Sequence, residues 1–197
     1  MATAALLSAL ASAAGPAAAE AWLRIDQPHA LQRETLPPEA MDYGHFIWLP
    51  ERTANRVIGS RPAHRFERPF DMRIDQAYFD PAEGFPQLPE EWLRTGPGPG
   101  SDWHLIQFTG PIRPQWLERL RESGLEPVQY IAPFGYIVWG RAKAVEAART
   151  LDHLRFAGSL PPIMRVPQAS RTPDGTGTVK AMALIHRGEQ KRIISAM

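Results

Sequence analysis

Side chains able to do chemistry are scattered along this chain of 197 residues. The six histidines are His29, His45, His64, His104, His153 and His186. No two of them have the His-x-His or His-x-x-x-His spacing that puts two imidazoles on one strand or helix face to hold zinc. Each is expected at the surface or half-buried. Asp71, Asp75 and Asp80 lack the spacing and central glycine of a calcium loop, and are expected to be solvated charges. Asp174-Gly175-Thr176-Gly177 looks superficially like a catalytic Asp-Thr-Gly, but an extra glycine intervenes and turn chemistry explains the run better. Glu118 and Glu122 stand one helical turn apart beside Arg119 and Arg121, as on an ordinary solvated helix face. The sequence has no Gly-x-Ser-x-Gly elbow and no phosphate-cradling glycine loop, and nothing points to a Ser-His-Asp triad. Cysteine is absent, which removes disulfides, thiolate catalysis and Cys-ligated metals. The expectation is no catalytic, metal or cofactor site, no cofactor, and an undetermined partner-facing surface.

One aromatic run has a chemistry of its own. Phe134-Gly135-Tyr136-Ile137-Val138-Trp139 resembles the RNA-recognition signature whose aromatic residues stack on bases. Ala132 and Pro133 stand where that signature has a basic residue and its first glycine. The net charge of +1, from 22 basic and 21 acidic residues, supplies no field for nucleic acid or an anionic membrane. These aromatics are expected to pack in a sheet or at a protein interface, and no nucleic-acid partner is expected.

The elements that would position such residues are clearest between 102 and 168. Trp103–Phe108 alternates as a strand and stops at Gly110-Pro111. Pro114 suits the first helical position. Trp116, Leu117 and Leu120 then share one helical face, and Gly124 suits the left-handed position that closes the helix. Pro127–Ile131 is a second strand, Pro133-Phe134-Gly135 a turn, and Tyr136–Trp139 a third strand rich in β-branched and aromatic residues. Ala142–Leu151 is a second helix with Val145, Ala148 and Leu151 on one face, and Leu154–Ala157 is the last strand. The pattern predicts an α+β fold, a ferredoxin-like split β-α-β sandwich with two helices on a four-stranded antiparallel sheet. Many unrelated functions use that scaffold.

The flanks read differently. Residues 1–21 form a short apolar, alanine-rich stretch broken at Gly15-Pro16 and followed by small residues, as in a signal peptide cleaved after Ala19 or Ala21. The expected location is secreted or periplasmic. The stretch falls short of the roughly 20 strongly apolar residues of a membrane anchor, so no membrane span is expected. Residues 22–101 are interrupted by prolines and are expected to be an irregular extension and linker, ending in Gly96-Pro97-Gly98-Pro99-Gly100. Within it, His45–Leu49 could be a strand or a docking segment, and Glu90–Arg94 a helical turn. Residues 169–178 read as a linker. Residues 179–197 read as the truncated start of a second, similar unit, which implies a fragment of a longer protein.

Gln107–Leu117 and Val128–Val138, with Leu154–Gly158 more loosely, resemble in order and spacing a stretch in the N-terminal regions of large secreted bacterial subtilisin-like serine proteases. The resemblance covers residues 102–168. It implies a ferredoxin-like prodomain that assists folding of a protease domain, inhibits it temporarily, and packs its sheet on two protease helices. The implied partner is a subtilisin-like protease domain, in cis if the chain is a fragment and in trans if it is a free-standing inhibitor module. The catalytic Asp, His and Ser motifs of that family are absent from this chain, which by itself is expected to hydrolyse nothing. Arg165–Arg171 is a candidate processing site.

Overall fold

The computed structural model describes residues 20–26, 36–55, 57–58, 62–86 and 100–165. The leader (beyond Glu20 and Ala21), the Glu90–Arg94 turn, the linkers at 96–99 and 169–178 and the second unit at 179–197 lie outside the described residues. The protein is α+β with antiparallel sheets. It divides into two units, Met1–Arg68 and Pro69–Met197.

The first unit corrects the expectation of an irregular extension over 22–101. Four short strands, β1 (Trp22–Asp26), β2 (Met41–Asp42), β3 (Phe46–Pro50) and β4 (Ala63–Phe66), make a sheet in the order β2-β3-β1-β4. The ambiguous run at His45–Leu49 is therefore the strand β3. Leu23 and Ile25 alternate with Trp22, Arg24 and Asp26 along β1, and face Ile47 and Leu49 of β3 on one side of the sheet. A short helix, α1 (Glu51–Ala54), follows Pro50 and covers that side with Ala54 and Val57. The β2–β3 turn needs Gly44, at φ +84°, whose amide donates to Asp42 Oδ1. Prolines exclude strand interiors but tolerate strand ends and loops. Here Pro37, Pro38 and Pro62 fall outside the strands and Pro50 at the end of one, so strands of five residues or fewer fit between them.

The second unit begins with a hairpin, β5 (Met72–Ile74) and β6 (Ala77–Phe79), turning at Asp75. Then come β7 (Ser101–Phe108), α2 (Pro114–Glu122), β8 (Glu126–Ile131), β9 (Gly135–Arg141), α3 (Ala142–Ala148), β10 (Leu154–Ser159) and a 3-10 turn at Pro162–Arg165. The strands from β7 to β10 form one antiparallel sheet in the order β10-β7-β9-β8. Side-chain alternation gives this sheet two faces. His104, Ile106 and Phe108 of β7 share a face with Tyr136 and Val138 of β9, and Trp116 of α2 stacks on Phe108 at 5.5 Å on that side. Leu105 and Ile137 point the other way. They cluster with Met72, Ile74 and Phe79 of the hairpin and with Leu160 and Met164. The face opposite the helices is thus covered by the chain's own residues.

Helix α2 ends as its glycine predicts. Gly124 sits at φ +92°, its amide reaches Arg121 O, and the Leu125 amide reaches Leu120 O, which is the double bond of a glycine-closed helix. Buried Leu120 and Leu125 supply the apolar contact of that motif. Gly140 of β9 runs directly beneath. A Cβ at Gly140 would lie 2.6 Å from Leu125 Cδ2 and 2.9 Å from the Gly124 carbonyl oxygen. The leucine end can rotate and the backbone oxygen cannot. Gly140→Ala is therefore expected to destabilise the unit by about 1–3 kcal/mol, read as faster exchange of the β9 amides. Wild-type exchange would show that the loop at Gly124 moves freely.

Candidate functional site

Two features of the second unit stand apart from an ordinary apolar core: a buried polar node on the hairpin side and an exposed aromatic edge on the helix side.

The node forms because β10 is irregular. Its register against β7 shifts between Leu154 and Phe156, leaving Arg155 in the bulge. A bulge re-aims a side chain that regular alternation would send elsewhere. Arg155 is turned to the hairpin side, where its two terminal nitrogens donate to both carboxylate oxygens of Asp80, at 2.7 Å for Nη2 to Oδ2. Nη1 also donates to Gln107 Oε1 at 3.0 Å, and the guanidinium lies 4.2 Å above the ring of Phe70. Gln107 is fully buried, and its amide donates to the carbonyls of Phe70 at 2.7 Å and Pro133 at 3.2 Å. Asp80 also accepts from the Ala82 amide. Residues 70 and 80 flank the β5–β6 hairpin, so one arginine–glutamine pair on the sheet holds both of its ends. The fork geometry satisfies most of the buried polar atoms, as burial of a charge requires.

The exposed edge is β8, with no further strand beyond it among the described residues. Val128 is 39% exposed and Tyr130 50% exposed, so two large apolar side chains face water on this strand. Tyr130 packs edge-on against Tyr136 at 5.5 Å, and its hydroxyl accepts from the Phe134 amide. With Pro111, Leu117 and Phe134 these tyrosines line a shallow groove between α2 and the β8–β9 hairpin. The edge is partly guarded: Pro127 interrupts its hydrogen bonding, and the register shifts between Pro127 and Gln129.

The sequence-predicted residues distribute as follows. Asp71 and Asp80 are buried, at 6% and 5% exposure, which corrects their reading as solvated charges; only Asp75, in the turn, fits it. Asp80 is carried inward by pairing with an arginine far along the chain, which no local spacing reveals. His104 is 1% exposed, correcting its placement at the surface or half-buried, because every β7 residue in the middle of this sheet is covered on both faces. His153 sits at φ +66° with its ring stacked on Trp116 at 4.6 Å. Burial holds it below the usual histidine range, aided by the charges of Arg113 and Arg119 and opposed by Asp152. Burial pushes the Asp102 carboxyl up, but hydrogen bonds from Arg165 and the Trp103 amide more than offset this and hold it below its ordinary range.

Glu118 and Glu122 are exposed, as expected. The aromatic run packs within the protein: Trp139 meets Trp103 edge-on at 4.9 Å, and Tyr136 lines the groove. Of the candidate processing stretch only Arg165 is described. It is half-buried rather than exposed, donating to Asp102 and to the Leu160 carbonyl. Residues 166–171, Asp174–Gly177, His29 and His186 lie outside the described residues. Among the described residues no three His, Asp or Glu side chains are gathered as metal ligands, and no helix is long and apolar enough to cross a membrane.

Residues 73–161 match a protein family described as a domain of unknown function (DUF8729). The matched stretch includes most of the β5–β6 hairpin as well as the sheet from β7 to β10. No curated protein and no solved structure matches the chain.

Proposed function

We propose that the chain is a non-catalytic binding module of an exported protein, and that its second unit is a ferredoxin-like scaffold presenting the β8 edge and the adjoining groove to a protein partner. The observation that carries this reading is the pair Val128 and Tyr130, exposed on an edge strand beside an aromatic groove. An edge strand offers main-chain hydrogen bonds to an extended segment, and side-chain pockets beside it give selectivity. The order β10-β7-β9-β8 with helices after β7 and β9 supports the ferredoxin-like description. The sequence resemblance names the partner class, a subtilisin-like protease domain held in cis or in trans, with the module as folding assistant and temporary inhibitor. The hairpin already covers the sheet face that such a prodomain would lay on its protease, so the contact is assigned to the edge instead.

The test is to titrate the purified chain into a subtilisin-type endopeptidase and, separately, into its refolding mixture. Inhibition or faster recovery of activity is expected, weakened at least tenfold by Val128→Asp with Tyr130→Asp. A chain that changes neither inhibition nor refolding would remove the protease partner. Inhibition untouched by the double variant would remove the edge as the contact.

A further inference from the structure

His104 lies in the middle of β7, paired in register with Val138 of β9 on one side and Ser159 of β10 on the other. Its Nε2 is 3.1 Å from the Gly140 carbonyl oxygen. A carbonyl only accepts, so Nε2 carries the proton and Nδ1 is bare. That Nδ1 is buried and has no hydrogen-bond partner. The neutral ring tolerates the site at the cost of one unmade bond. A second proton, on Nδ1, would create a donor with no acceptor and a full charge inside the sheet.

The surrounding charges do not relieve this. Asp102 is the acidic group that acts on His104, and its carboxylate already accepts from Arg165 at 2.8 Å, whose own charge opposes protonation of the imidazole. On the next strand, β9 supplies the Gly140 carbonyl and exposed Arg141. On the other side of β7, β10 supplies uncharged Ser159. Helix α3 buries Val145 and Ala148, while its charged residues Lys143 and Glu146 and the Arg149 that follows it are exposed, the last two paired with each other.

We infer that His104 is an acid-sensitive lock: as the neutral imidazole it closes β9 onto β7, and acidification favours the opened sheet, in which Nδ1 can take up a proton. Burial, the largest cause, holds the folded imidazole below its ordinary value, with the Gly140 hydrogen bond and Asp102 opposing and Arg165 assisting. A group whose folded pKa is depressed, and which is charged in its protonated form, contributes stability that is fully present above its unfolded value, about 6.5. That stability drains away as pH falls below this value, until the folded group itself titrates. One proton taken up on opening changes the opening constant by about tenfold per pH unit in that window. Because β9 also pairs with β8, opening at Gly140 reaches the edge assigned above to partner binding, although the lock stands without any partner.

The experiment follows the His104 imidazole by NMR in the full chain from pH 8 to 5. In parallel, amide exchange of β7 and β9 is measured for the wild type, His104→Gln and His153→Gln, corrected for the intrinsic pH dependence of exchange. The expected result is an imidazole that stays neutral well below pH 6.5 in the folded chain. Opening should steepen toward acid in the wild type and in His153→Gln, and flatten in His104→Gln, which keeps a donor for Gly140 and cannot titrate. An imidazole protonating at its ordinary value with the sheet intact would overturn the inference, as would an unchanged slope in His104→Gln. The wild-type titration decides the matter even if the variant does not fold.

Discussion

Arg155→Ala is expected to destabilise the second unit by about 3–5 kcal/mol, the cost of stranding one partner of a buried ion pair. Its loss leaves the Asp80 carboxylate, 5% exposed, with the Ala82 amide as its remaining hydrogen bond in the node, and takes from Gln107 Oε1 the donor that Arg155 supplied. The hairpin should feel this first, since Asp80 follows β6 directly. Unfolding by urea with hydrogen exchange as the local readout would show the β5 and β6 amides losing protection ahead of β9. A triple change, Asp80→Leu with Arg155→Met and Gln107→Leu, takes the Gln107 donor from the Phe70 and Pro133 carbonyls and the Asp80 acceptor from the Ala82 amide, but it strands no buried charge and is expected to cost less than the single one. If the triple variant is as damaged as Arg155→Ala, the node acts through its shape and not through its charge. If Arg155→Ala is neutral, water reaches Asp80 and the node is not a clamp.

Trp116→Ala is expected to cost about 3–5 kcal/mol, the usual range for removing a large buried aromatic. Trp116 is 4% exposed and sits between Phe108 on the sheet and the ring of His153, with the Arg113 guanidinium 5.6 Å from its centre. With fully buried Leu120 it anchors α2 on the sheet. Since α2 also forms one wall of the groove through Leu117, the loss should loosen the groove while leaving the hairpin–sheet node in place. Exchange protection should therefore fall in α2 and β8 and persist around Gln107. Trp116→Phe keeps the stack and should recover most of the loss. A uniform loss of protection across the whole unit would show that helix and sheet do not separate in this way.

These two variants probe opposite faces of one sheet, and they differ in how far the sequence foretold them. The apolar face of α2 follows from the spacing of Trp116, Leu117 and Leu120. Its stop follows from Gly124, and the strands on either side follow from alternation and turn residues. All of these are local: they depend on residues within a turn or two, and a helix or strand obeys them whatever surrounds it. Apart from the candidate strand at His45–Leu49, the first unit was hidden because its strands are short and separated by prolines, so no window is long enough for a period to stand out. The exposed edge was equally hidden, since alternation says that Tyr130 has a side and not that β8 ends the sheet.

The amino-acid sequence by itself determined the order β-α-β-β-α-β between Ser101 and Ser159, the ends of β7, α2 and β8, and the absence of any cysteine-dependent chemistry. Helix α3 stops at Ala148 rather than Leu151, and β9 and β10 run on to Arg141 and Ser159, past the expected Trp139 and Ala157. The tertiary structure alone decided that Asp80 is buried rather than solvated, that Arg155 faces the hairpin, that His104 has an unpartnered nitrogen, and that the open face of the sheet is covered. The physical reason is distance along the chain. Asp80 and Arg155 are 75 residues apart, and whether a charge is buried depends on what packs over it. Periodicity measures only how a residue sits relative to its neighbours in sequence. Desolvation and pairing are settled by neighbours in space.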